Sequence, residues 1–248
     1  MVDLATSVLG VSLPLPVMNA PGAYGSPREL EALLDSATGA IVLPTATVHP
    51  FVHAEFRSLH NPGYDKLLPL TRELVERAGA RPVVASIAGG TPEEYAHLAR
   101  AFAEAGAALI EANLADPWIG ATLAPFETAA QLRNVCGAVV AASPAPVLVR
   151  LPESVNRHYR PIAEALRSAG VRGVVAKNDF VDFEKFLLEA GGDFDVVVVG
   201  GAASGFDVQR VLAKGAKAVQ LDAVLVLEGP RVFARLEREL RHARGERP

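Results

Sequence analysis

Eight short runs of almost continuously apolar residues recur along the chain, each followed by a longer stretch in which apolar positions return every three or four residues. The runs are LPVMNA (15–20), AIVLPT (40–45), PVVASI (82–87), ALIEAN (108–113), VLVRLP (147–152), GVVAKN (173–178), DVVVVGG (195–201) and AVQLDA (218–223). Because they do not alternate between apolar and polar, they predict parallel strands covered on both faces. The intervening stretches predict amphipathic helices: SPRELEALLDSA, YDKLLPLTRELVERAG, TPEEYAHLARAFAEAG, PFETAAQLRNVCGAVVAA, YRPIAEALRSAG, DFEKFLLEAG, GFDVQRVLAKG and PRVFARLERELRHA. Several begin on a capping residue or proline and several stop at glycine, as helix ends do. Thr91, Pro92 and Glu94 give a cap, a first-turn proline and an N3 acid in the expected order.

Eight strands alternating with eight helices predict an α/β fold, a (β/α)8 TIM barrel, with a doubly wound sheet as the lesser alternative. The composition does not shift along the 248 residues, so a single domain is expected over 1–248, with 1–14 as a pre-barrel segment forming a hairpin at the barrel bottom. The longest irregular piece, TATVHPFVHAEFRSLHNPG (45–63), follows the second strand, and loops of that length in compact domains are commonly functional.

Composition narrows the function classes. Half the residues are hydrophobic and 21% are charged, which excludes disorder. A formal charge of −4, with no basic run beyond the mixed RHARGER tail, argues against nucleic acid. One cysteine, Cys136, excludes an internal disulfide and at helical spacing is expected in the core. No apolar run reaches the ~20 residues of a membrane span, and Asp3 stands where a signal peptide would be basic. A cytoplasmic protein with no membrane partner is expected.

In a barrel of this kind the C-terminal ends of the strands build the active site. Those ends supply Asn19, Ala20, Pro21 and Gly22; Pro44 and Thr45; Ser86, Ala88 and Gly89; Glu111, Asn113 and Asp116; Arg150; Lys177 and Asn178; Gly200 and Gly201; and Asp222. Carboxamides, two cations and small residues suit a flat, hydrogen-bonding ligand or a phosphate. The alternative for each Asn or Asp is a turn or helix cap. In VVGGAASGFD, two glycines precede a helix start, where backbone N–H groups can approach an anion; a tight turn is the other reading. His49, His53, Glu55 and His60 are metal-ligand types, but exposed loop histidines are commoner and no metal is expected.

Through PVMNAPGAYG, the strand at 39–42, NPGYD, SIAGGTPEEY, IEANLADP, VRLPES and the long final stretch from VVVVGGAASGFD to RLERELRH, the chain resembles the class 1 dihydroorotate dehydrogenases, flavin enzymes built on a (β/α)8 barrel. The resemblance implies FMN at the barrel mouth, oxidation of dihydroorotate or a related small polar ring compound, and return of the electrons to a second substrate. It puts Ala20, Pro21 and Gly22 against the flavin ring and Gly200 and Gly201 beside its phosphate. Arg150 stands where the family has a lysine near the flavin, and Lys177 belongs to the same cofactor side. Asn61, Asn113 and Asn178 match asparagines that hydrogen-bond flavin or substrate. A homodimer is implied by the resemblance alone.

The chain also departs from the family. Its catalytic loop, Asn-x-Ser-Cys-Pro-Asn, here reads Asn113-Leu114-Ala115-Asp116-Pro117-Trp118, so Asp116 replaces the Cys or Ser base. A carboxylate is a weak acceptor for a carbon acid unless burial, here beside Trp118, raises its pKa; otherwise Asp116 caps the turn or pairs with Arg150. Pro44 replaces a lysine, Leu221-Asp222 replaces the Gly-Thr or Gly-Ser of the last phosphate loop, and a Gly-Gly-Leu-Ser-Gly segment is missing after the sixth strand. A carboxylate at 222 opposes a bound phosphate. These changes open a second expectation, a flavin-free barrel acting as a small-molecule-binding or partner subunit.

Overall fold

A computed structural model describes residues 2–52, 61–115, 128–151, 159–177 and 180–246. Each of the eight apolar runs contains a strand: β3 (Val17–Asn19), β4 (Ile41–Val42), β5 (Val83–Ile87), β6 (Leu109–Asn113), β7 (Val147–Arg150), β8 (Gly173–Lys177), β9 (Asp195–Val199) and β10 (Ala218–Leu221). They form one parallel sheet ordered β3-β10-β9-β8-β7-β6-β5-β4, the cyclic order of a (β/α)8 barrel. All five residues of β5 and of β6 are buried, as strands covered on both faces require.

The ladder stops between β3 and β4, and a side chain closes the gap. Asn19 Nδ2 donates to the Val42 carbonyl at 2.7 Å, and the Val42 N–H donates to Asn19 Oδ1 at 2.9 Å. Gly39 N–H adds a bond to the Val17 carbonyl at 2.8 Å. The chain passes so close there that a Cβ on Gly39 would lie 1.8 Å from the Leu15 carbonyl oxygen.

The helices outside the barrel are α1 (Pro27–Leu34), α2 (Tyr64–Arg77), α3 (Pro92–Glu104), α4 (Ala129–Ala142), α5 (Tyr159–Ser168), α6 (Phe180–Ala190), α7 (Gly205–Ala213), α8 (Ala223–Glu228) and α9 (Arg231–Ala243). Ser26 and Glu29 form a full capping box on α1, and Ser204 and Asp207 form one on α7. On α3, Thr91 accepts from the Glu94 N–H as expected, but the Glu94 carboxylate takes the Gly90 N–H, one residue before the cap. The six-residue α8, AVLVLE, was not legible in the sequence because one and a half turns are too short to show a helical period.

Strands β1 (Thr6–Val8) and β2 (Val11–Leu13) pair as an antiparallel hairpin under the barrel. At its tip Leu9 has φ 51°, a conformation that side chains other than those of Asn and Asp rarely adopt. Its N–H donates to the Asp195 carboxylate at 2.7 Å, and its side chain fills the space a Cβ on Gly173 would need. The plug therefore sits at the N-terminal ends of β8 and β9, opposite the mouth. Cys136 is fully buried in α4, and burial pushes its thiol up to about 12. No helix among the described residues is long and apolar enough to cross a membrane.

Candidate active site at the barrel mouth

Polar residues that interrupt the apolar strands gather at the strand exits. Beyond β3, the Ala20 N–H donates to the Leu221 carbonyl at 2.7 Å, tying this exit to β10; Pro21 is buried and Gly22 exposed. Beyond β4, Pro44 is buried, and Thr45 Oγ1 lies 3.0 Å from the Ser86 hydroxyl of β5. The same Thr45 oxygen accepts from Asn113 Nδ2 at 3.1 Å. Asn113 Oδ1 accepts the Ala115 N–H at 3.1 Å, and the Tyr95 hydroxyl donates to the Asn113 carbonyl at 2.9 Å. Asn113 is thus rigidly held, with a second Nδ2 hydrogen that no described residue accepts.

Asn61 is anchored to the same β4 exit. Its Oδ1 accepts from the Thr47 hydroxyl at 2.9 Å, the Gly63 N–H at 3.0 Å and the Thr47 N–H at 3.4 Å. The single Thr47 hydroxyl proton is shared with the His49 carbonyl, and the two backbone N–H donors fix the orientation of the amide. Its Nδ2 is buried and has no partner among the described residues. His49, in the same loop, is exposed, while His53, Glu55 and His60 lie outside the described residues.

Arg150 ends β7 in register with Asn113 and is partly buried. One layer deeper, Glu111 is fully buried and accepts from Gln220 Nε2 at 2.6 Å. Burial raises the Glu111 carboxyl above the ordinary range, against the pull of the Arg150 charge and the Gln220 hydrogen bond. The Glu111–Gln220 pair is a feature the sequence reading missed, although a Glu in ALIEAN and a Gln in AVQL were each polar residues inside an apolar run. Lys177 ends β8 with an exposed side chain.

At the β9 exit, Gly200 and Gly201 have φ of 77° and 70°. A Cβ on Gly200 would meet nothing within 4 Å, so its conformation rather than lack of space calls for glycine. The Gly200 N–H is taken by the Gln220 carbonyl at 2.9 Å. Farther on, Ala203 and Ser204 N–H groups donate to the Asp207 carboxylate at 3.2 and 2.9 Å, and the Gly205 N–H to Glu239 at 2.7 Å. Protein carboxylates thus already occupy much of the α7 N-terminus that the sequence offered to an anion. Gly201 and Ala202 N–H groups make no bond among the described residues. In the neighbouring exit, Asp222 precedes α8 with its side chain exposed and no capping bond. Asp116, Trp118 and Asn178 fall outside the described residues.

No family model matches the chain. It is 28% identical over 277 aligned positions to "Putative dihydroorotate dehydrogenase A (fumarate)" of Aeropyrum pernix, with 93% of this chain and 89% of that protein covered. "Dihydroorotate dehydrogenase B (NAD(+)), catalytic subunit" of Latilactobacillus sakei is 31% identical over 199 residues, or 72% of this chain and 64% of that protein. The protein of the same name from Geobacillus kaustophilus is 32% identical over 197 residues, 72% and 61% of the two chains. The match therefore spans less than two thirds of these two relatives. A crystal structure of DHODH in complex with ferulenol from Eimeria tenella overlays with a TM-score of 0.83 at 14% identity, covering 98% of this chain and 85% of that one, which shows the barrel fold. With nearly its whole length matched to one dihydroorotate dehydrogenase relative and most of it to others, the chain is a diverged member of the class 1 dihydroorotate dehydrogenase family.

Proposed function

We propose that the chain is an FMN-dependent oxidoreductase of the dihydroorotate dehydrogenase type, oxidising dihydroorotate or a related small polar ring compound of pyrimidine metabolism. The observation that carries this reading is the buried Asn61 amide nitrogen, which has no acceptor among the described residues and is fixed to the same 45–47 segment that fixes Asn113. A buried donor without a partner costs free energy, and a ring carbonyl or carboxylate at the mouth would satisfy it.

The residues fit a flavin at its ring end. Ala20, Pro21 and Gly22 offer a small-residue wall, and Arg150 with Lys177 would set positive charge along the ring's electron-rich edge. At the phosphate end, the Gly200–Gly201 turn offers the N–H groups of Gly201 and Ala202, which make no bond among the described residues, while Asp222 next to it repels a dianion. FMN, when bound, would supply the electron acceptor and pass the electrons on to a second substrate. Asn61, Asn113 and Asn178 would orient the substrate ring by hydrogen bonds to its polar edge. Asp116 would take the proton from the ring carbon, a role that needs partial desolvation of its carboxylate at neutral pH. Homodimer formation belongs to the same reading.

Asp222, together with Pro44 buried where the family has a lysine, favours a second reading: a flavin-free barrel that binds a small molecule or serves a partner. The visible absorption spectrum of the purified protein, before and after excess FMN and desalting, separates the two. A retained flavin band supports the oxidoreductase. A colourless protein that cannot be loaded overturns it and leaves the binding barrel.

A further inference from the structure

Glu111 on β6 and Gln220 on β10 are 109 residues apart in sequence. Their strands are four places apart in the eight-stranded order and so form opposite walls of the barrel. The two side chains nevertheless meet, with Gln220 Nε2 donating to Glu111 Oε2 at 2.6 Å, and both residues are fully buried. Each has one oxygen remaining. Glu111 Oε1 and Gln220 Oε1 are both buried and both lack a hydrogen-bond partner among the described residues.

Two orphaned acceptors on groups already joined by one hydrogen bond define a simple problem. An ionised Glu111 offers only acceptors, and turning the Gln220 amide over would set oxygen against oxygen. Turning towards Arg150 would give a charged pair, yet no hydrogen bond joins Glu111 to Arg150 among the described residues. One proton on Glu111 Oε1 satisfies both orphans at once, because that hydroxyl can donate to Gln220 Oε1.

We propose that Glu111 is protonated and forms with Gln220 a neutral, cyclic acid–amide pair of two parallel hydrogen bonds, a positioning strut that spans the barrel floor beneath the mouth. Its surroundings agree. Ser86 of β5 and Leu148 of β7 stand in register with Glu111, and the Ser86 hydroxyl is turned to Thr45. Arg150 is the charged group coupled to Glu111, and burial outweighs its pull. A neutral Glu111 leaves the guanidinium charge of Arg150 without a counter-ion from below, so that charge is offered to the mouth and favours an anionic or electron-rich ligand there. The strut holds whether or not that ligand is a flavin, so this inference and the flavin reading can fail separately.

The test is the infrared spectrum of the full chain at neutral pH, compared with Glu111→Gln and Gln220→Leu. A carbonyl band of a protonated carboxyl is expected in the wild type, lost in Glu111→Gln and displaced in Gln220→Leu, which keeps the acid but removes its partner. Glu111→Gln should also melt no lower than the wild type at neutral pH, because an amide–amide pair closes the same ring without a proton that the unfolded chain would release. A wild type without that band overturns the proposal, as does a band that Gln220→Leu leaves in place. A Glu111→Gln chain that melts far lower or fails to fold at neutral pH also overturns it, because the lost group would then have been a needed charge.

Discussion

Asn19 and Val42 exchange two hydrogen bonds, and through them a side chain does the work of a β-ladder at the one seam where the barrel strands β3 and β4 do not pair. Both partners are buried, so the bonds have no water to replace them. Asn19→Leu removes a donor and an acceptor together and strands the Val42 N–H and carbonyl. The expected loss is about 2–4 kcal/mol, from two buried backbone groups at roughly 1–2 kcal/mol each. Urea unfolding would read this as a lower midpoint with an unchanged slope.

At the same seam, Gly39→Ala should be at least as damaging. The new Cβ would be driven against the Leu15 carbonyl, which is backbone and cannot swing aside. Overpacking of this kind costs about 1–3 kcal/mol when side chains can yield, so the upper end or more is expected here. A thermal melt of Gly39→Ala beside a surface control such as Gly192→Ala, whose Cβ meets nothing within 4 Å, would isolate the effect.

Most of the fold was legible because the barrel strands are short, apolar and separated by capped helices, and that pattern depends only on local sequence. What closes the barrel was not. Asn19 stood among the residues at the mouth, and nothing in LPVMNA says that its amide faces a backbone 23 residues away. The site divides in the same way. Asn61 and Asn113 could be named singly, but their common anchor at 45–47 is a tertiary fact. The α7 start reads as an anion site in the sequence, yet Asp207 and Glu239 fill much of it. Only the first of these carboxylates is near in sequence; the second arrives from α9.

The pH dependence of stability carries a signature of Glu111. Its carboxyl is raised in the folded state, mainly by burial. The folded chain holds a proton that the unfolded chain releases above about 4.3, so this contribution is fully present below that pH and is lost as pH rises to the folded value. Relative to Glu111→Gln, the wild type should therefore lose up to about 1.4 kcal/mol per pH unit across that window and run parallel to the variant outside it. Urea midpoints of both chains at a series of pH values measure the difference. Parallel curves throughout would mean that Glu111 titrates as an ordinary surface carboxyl.

Asn61→Asp separates anchoring from ligand binding. An aspartate keeps the oxygen that receives the Thr47 and Gly63 donors and replaces Nδ2, which has no partner among the described residues, by an acceptor. The loop should stay in place, because charged acceptors strengthen such bonds. Binding of a ring compound that needs this donor should weaken by about 10- to 100-fold, the effect of roughly 1–3 kcal/mol. Calorimetric titration with dihydroorotate and orotate, alongside a melt showing an intact fold, reads both halves of the prediction.

On the FMN reading proposed above, Asp222 sets how well the mouth holds the cofactor phosphate. The β9 exit has the form of an anion turn, with two left-handed glycines and the N–H groups of Gly201 and Ala202 uncommitted among the described residues. The β10 exit beside it carries an exposed carboxylate with no capping bond to neutralise it. A phosphate dianion entering between the two gains directed hydrogen bonds from one side and meets a like charge on the other. At exposed positions the repulsion is softened by water and salt, so it should weaken FMN without excluding it. Asp222→Thr removes the charge and adds a hydroxyl donor, and should tighten FMN by roughly tenfold at low salt, with a smaller gain at high salt. Riboflavin, which has the ring but no phosphate, should bind the two chains alike. Quenching of flavin fluorescence with both compounds checks this. Equal gains for FMN and riboflavin would show that Asp222 acts on the ring or on the loop, and not on the phosphate.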